Sequence, residues 1–135
     1  MRRGQALVEL AVSLPLLLIL ALGAAQFVRL ALERSGLDAA TAAAAAAAAR
    51  APSAATAAAA GTAAFAGVAA GYGLDRSATV TVSTGDFRRG GTVTASAHAE
   101  LSLGFSGIPA LGRGWSLFSS ASARVEDWRS RPAGS

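Results

Sequence analysis

From Leu10 to Val28 the chain runs nineteen consecutive residues without a single charge. Coiled as a helix, that run is about 28 Å long, close to the roughly 30 Å hydrocarbon layer of a bilayer. Leu14, Leu16, Leu17, Leu18, Ile19, Leu20 and Leu22 make its centre strongly lipophilic. The run therefore predicts a membrane-spanning helix with the lipid bilayer as its first partner. Arg2 and Arg3 stand just before it. By the positive-inside rule they hold the N-terminus on the cytoplasmic side, so a single span leaves the rest of the chain extracytoplasmic.

Helix-favouring sequence continues past the span. Arg29 with Glu33 and Arg34 with Asp38 are spaced i,i+4, the separation at which opposite charges support a helix. Eight alanines follow, Ala42 to Ala49, and Pro52 gives the first firm stop. Residues 5–50 thus read as one transmembrane helix continuing into a helical stalk, on the order of 70 Å long. Pro15 removes one backbone bond and predicts a bend within the span. Gly36 is a weak hinge candidate. A second alanine-rich helix is expected over Ser53 to Ala70, with Ser53 as its N-cap and Gly71-Tyr72-Gly73 closing it.

After this the period changes from helical to two. Thr92 to Leu103 alternates strictly between polar and apolar residues, as does Ser77 to Ser83. With Gly85 and Gly90-Gly91 between them, these two strands predict a hairpin. Trp115 to Val125 reads as a third strand. The expected fold class is α+β: a long N-terminal transmembrane helix, then an alanine-rich helix packed on a small antiparallel sheet of about three strands. The outer domain spans residues 53–128, and 129–135 is a flexible tail.

Composition narrows the chemistry. Alanine supplies 36 of 135 residues, and although 53% of the chain is hydrophobic only 6% is aromatic. A core built from methyl groups buries little area per residue, which argues against a large enzyme fold. There is no Cys, which removes thiol chemistry, and with one His, His98, a zinc site would have to be built almost wholly from carboxylates, poor chemistry for zinc; no cofactor is expected. His98 lies on the polar face of its strand, and no G-x-S-x-G elbow accompanies it, so no enzyme is expected. The net charge is +4, but the arginines are scattered, with pairs only at Arg2-Arg3 and Arg88-Arg89, so nucleic acid is not an expected partner. Arg88-Arg89 reads as a solvated hairpin tip. Phe105, Ile108, Pro109 and Leu111 read as an apolar loop capping the core, with contact to a partner subunit as the alternative. Trp128 could stack on the sheet or at the membrane interface.

One carboxylate, Glu9, stands at the edge of the span. Such a group is costly beside hydrocarbon unless it is paired, which makes it a functional candidate. If the chain were cut after Gly4, Gln5 would become residue one and Glu9 residue five, and the new α-amino group would be a cation able to meet a carboxylate.

The opening RRGQALVELAVSLPLLLIL, followed by ALGAAQFVRLALERSGLDAATAAAAAAA, resembles that of TadE-like proteins, pseudopilin-related components of the tight-adherence (Flp-type) pilus machinery. The resemblance implies a prepilin-like leader, residues 1–4, removed after the glycine by a prepilin peptidase. It also implies a non-catalytic role in assembling the pilus or a related secretion machine, beside other pilin-like or Tad assembly subunits. Matched residue by residue, Gly4 takes the cleavage position, Gln5 the new N-terminus and Glu9 the fifth-residue glutamate. Pro15 matches the proline of the leucine run. The sequence departs from ordinary type IV pilins, whose mature chains begin with Phe where Gln5 stands here.

A rival reading treats Met1 to Ala25 as a secretory signal. Leu22-Gly23-Ala24-Ala25 then offers small residues to signal peptidase and a soluble domain is released. Glu9 and the helix-favouring sequence after Ala25 weigh against it.

Overall fold

The structure of the chain, a computed structural model, describes residues 2–74, 76–101 and 114–125, with residues 2 and 3 described in their backbone only. The elements are α1 (Arg2–Arg50), α2 (Ala54–Gly71), β1 (Ala78–Ser83), β2 (Thr92–Leu101) and β3 (Trp115–Arg124). This is the α+β order expected from the sequence. The chain divides into two compact units, Met1–Leu32 and Glu33–Ser135.

In the second unit the three strands form one antiparallel sheet with β2 in the middle. The register pairs Val80 with Ala97 across β1–β2, and Ala97 with Ser119 across β2–β3. Alternation works as the period-two pattern requires. Val93, Ala95, Ala97, Ala99 and Leu101 are buried on one face, while Ser96 and Glu100 are exposed on the other. The corresponding rows of β1 and β3 are half-buried, because each edge strand is covered from one side only.

The boundaries of α2 come from its ends. Ser53 and Thr56 form a capping box: Thr56 N–H donates to Ser53 Oγ at 3.4 Å, and Ser53 N–H donates to Thr56 Oγ1 at 3.3 Å. At the other end Gly73 takes a φ of +70°, which a side chain would strain. That turn lets Leu74 N–H reach Ala69 O at 2.9 Å and Gly73 N–H reach Ala70 O at 3.1 Å. The two bonds satisfy carbonyls that the helix end would otherwise leave open. Leu74 and Ala69 are both buried.

The main difference from the sequence reading concerns α1. Ala42–Ala49 was expected to sustain a stalk, but Leu37, Ala40, Thr41, Ala44, Ala45, Ala48 and Ala49 are buried in the second unit. Their spacing of three and four residues marks one helical face. That face belongs to the core: Ala48, Ala49 and Ala51 cluster with Ala57 of α2, Val93 of β2 and Val125, with Val82 and Ala123 packed alongside. A methyl face this flat lets the helix lie close to the sheet. The cover expected from α2 alone is therefore shared between α2 and residues 37–49 of α1. Buried Thr41 is satisfied within the helix, its Oγ1 donating to Leu37 O at 2.7 Å.

Two glycines permit close approaches. A Cβ on Gly61 would lie 2.9 Å from Val82 Cγ2, 3.0 Å from the Ala44 carbonyl oxygen and 3.3 Å from Ala48 Cβ. Gly61→Leu should therefore destabilise the unit by about 1–3 kcal/mol, the usual cost of overpacking. A thermal melt of the full chain in detergent, followed through its β-sheet circular dichroism, checks this; an unchanged midpoint would contradict the tight crossing. Gly36 lies in unbroken helix rather than at a hinge. A Cβ there would meet the Tyr72 ring, 2.5 Å from its Cγ. Ser119 Oγ donates to Asp38 Oδ1 at 2.6 Å, joining α1 to β3.

Candidate membrane and assembly segment

The first unit is the N-terminal part of α1. Its leucines and isoleucine are strong or tolerable helix formers, and Pro15 is accommodated inside the helix. Large apolar side chains face outward all round: Leu10 is 59% exposed, Val12 70%, Ile19 69% and Phe27 72%. Against water so broad an apolar surface would be untenable, whereas against lipid tails it is matched. The helix is long and apolar enough to cross a membrane, with none of its most apolar window buried within the chain. By length and composition α2 also qualifies, but Ala57, Gly61, Phe65 and Ala69 are committed to the core of the second unit.

The residues singled out from the sequence fall at the start of this helix. Arg2, Arg3, Gly4 and Gln5 form its first turn, where backbone N–H groups lack intrahelical acceptors and local opening is easiest. Gly4 and Gln5 are exposed, and a Cβ on Gly4 would meet nothing within 4 Å. Glu9 is exposed, four residues after Gln5 and so on the same face. Gln5, Glu9 and Gly4 are thus brought together within two turns at one end of an otherwise lipophilic rod.

Gln26 was not singled out from the sequence, although it is the only side-chain amide in the uncharged run. Its side-chain oxygen is buried without a hydrogen-bond partner, the single such buried side-chain atom among the described residues. An amide in a lipid-facing helix commonly finds its partner on another helix.

Elsewhere, His98 stacks on Phe118 across the outer sheet face, with ring centroids 4.7 Å apart and planes inclined by 26°. Among the described residues no group of three or more His, Asp or Glu could hold a metal ion. At the hairpin tip Arg88 is 76% exposed and bonds Asp86 at 2.6 Å. The loop bearing Phe105, Ile108, Pro109 and Leu111 lies outside the described residues, as do Trp128 and the tail 129–135.

Comparison with known proteins singles out this helix. The family model described as TadE-like protein matches residues 4–50, 47 of the 135 residues, the stretch that carries the resemblance noted in the sequence. No curated protein and no solved structure matches the chain.

Proposed function

With a TadE-like segment over residues 4–50 as the premise, we propose that this chain is a membrane-anchored pseudopilin, or minor pilin, acting in assembly of a tight-adherence pilus or a related secretion machine. It is a single-pass protein with a cytoplasmic N-terminus and an extracytoplasmic α+β domain, and it performs no catalysis itself. The observation that carries the reading is the conjunction of a fully exposed apolar helix with Glu9 at its edge, inside the family match.

In this mechanism Arg2 and Arg3 set orientation, and a prepilin peptidase cuts after Gly4. The freed Gln5 amino group is a cation, and Glu9 of a neighbouring subunit accepts a charge-assisted hydrogen bond from it. That pairing neutralises both charges where lipid would otherwise penalise them and fixes the axial register between subunits. Ala11, Ala21, Ala24 and Ala25 leave shallow positions at which other helices pack closely.

Intact-mass analysis of the chain purified from membranes tests the proposal. Loss of the first four residues is expected. Loss of about twenty-five, with the remainder soluble, would instead establish the secretory-signal reading.

A further inference from the structure

Among the described residues β1 ends the sheet, with β2 on one side and no strand on the other. Which of its main-chain groups face the open side follows from one hydrogen bond, Glu100 N–H to Ser77 O at 3.0 Å. Hydrogen-bonded pairs in an antiparallel ladder recur at every second residue. Thr79, Thr81 and Ser83 therefore direct their N–H and C=O groups toward His98, Ser96 and Thr94 of β2. Ala78, Val80 and Val82 direct theirs away from the sheet. Ala78 N–H is taken by Leu74 O at 3.0 Å. The N–H and C=O groups of Val80 and Val82 have no strand to pair with among the described residues.

Natural edge strands are blunted by charge, proline or a bulge. β1 has none of these: it reads Ala, Thr, Val, Thr, Val, Ser, and its register against β2 is uninterrupted. Beside it lies an apolar cleft of about 300 Å³, whose lining includes Phe65, Ala66 and Ala69 of α2 with Ala78 and Val80 of β1. Val80 and Val82 are only half-buried, whereas Ala97 and Ala95, opposite them on β2, are buried. An uncharged strand laid against its own copy opposes no like charges, and its open donors and acceptors complement themselves.

We propose that β1 pairs antiparallel with β1 of a second copy of this chain, joining the two sheets into one of six strands across a two-fold axis. The open groups select the register. Val80 exchanges both hydrogen bonds with Val82 of the other copy, which engages all the open groups of these residues and leaves the Ala78–Leu74 bond intact. Centring the pair on Val80 would instead set Ala78 opposite Val82 and require the N–H already given to Leu74. In the selected register Thr81 stands directly opposite Thr81 on the outer face. On the inner face Val82 of each copy comes beside Val80 of the other, at the apolar cleft. The inference goes beyond the assembly role proposed for α1 and does not depend on it.

The chain has no cysteine, so introduced cysteines report the pairing directly. Thr79, Thr81 and Ser83 are exposed, and replacing them leaves the core untouched. The test oxidises variants of the full chain mildly in detergent and reads disulfide-linked dimer on non-reducing gels. Thr81→Cys should crosslink to itself, because opposed Cα atoms in such a pair lie about 4.5 Å apart, within disulfide reach. Thr79→Cys alone should stay monomeric, its mate lying four residues away along the strand, about 13 Å. Mixed with Ser83→Cys, the residue opposite it, Thr79→Cys should crosslink. Absence of a Thr81→Cys dimer overturns the proposal, as does equal crosslinking by Thr79→Cys alone. Preferential crosslinking of Thr81→Cys to Ser120→Cys would assign the edge to β3 of another copy and overturn it too.

Discussion

On the proposed mechanism, replacing Glu9 with alanine should lower the yield of partner-bound chain by about ten- to a hundredfold, the loss expected for a charge-assisted hydrogen bond worth about 1.5–3 kcal/mol. The loss is amplified by its surroundings. Around Glu9 the helix presents Leu7, Val8, Leu10 and Val12, all more than half exposed, so a partner's amino group left without its carboxylate has only hydrocarbon to face. Glu9→Gln should recover part of the yield, since an amide still accepts a hydrogen bond but leaves the amino charge uncompensated. Site-specific crosslinking from the membrane helix, quantified against membrane-inserted chain, reads the effect. Normal crosslinking by Glu9→Ala would remove the register role, and Glu9 would then be a carboxylate that reaches the headgroups.

Gly4→Leu is expected to act earlier and to be all-or-none. The purified variant should retain its first four residues, adding them to the intact mass, while still inserting in the membrane because Leu10 to Val28 is untouched. The physical reason is steric. A Cβ on Gly4 would meet nothing within 4 Å, so a side chain here is accommodated by the fold. Any loss of processing must therefore arise at the peptidase. Unprocessed chain should also assemble poorly, for without a new amino group at Gln5 the Glu9 pairing has no cation. Wild-type mature mass in Gly4→Leu would refute cleavage at this bond.

The span, the strands and the caps were legible in the sequence because each rests on a contrast. Leu10 to Val28 contrasts with flanking charges, and Thr92 to Leu101 contrasts residue by residue across the pleat. Ser53 announces a cap by its hydroxyl. Residues 42–49 offer no contrast. In a run of eight alanines every face of the helix is equally apolar, so periodicity cannot say which face is buried or whether any is. That is why a stalk was expected where the structure has core. Only Leu37 and Thr41, one turn apart and both fully buried, hinted at the direction of the face. Gly61 was illegible for a related reason. A glycine in a helix reads as a weakness, and its value here comes from the Ala44 carbonyl and Val82, distant in sequence.

Gly4, Gln5 and Glu9 were singled out from a leader-like motif, and they lie in the first turns of α1. Gln26 was passed over because hydropathy averaging absorbs one amide among leucines.

The methyl-lined core has a thermal consequence. Unfolding a domain held by Ala44, Ala48, Ala95, Ala97 and Ala99 exposes little apolar surface per residue. The accompanying heat-capacity increment is correspondingly small, and a small increment flattens the dependence of stability on temperature. A modest maximum therefore comes with a broad plateau. The second unit trades depth of stability for evenness across temperature.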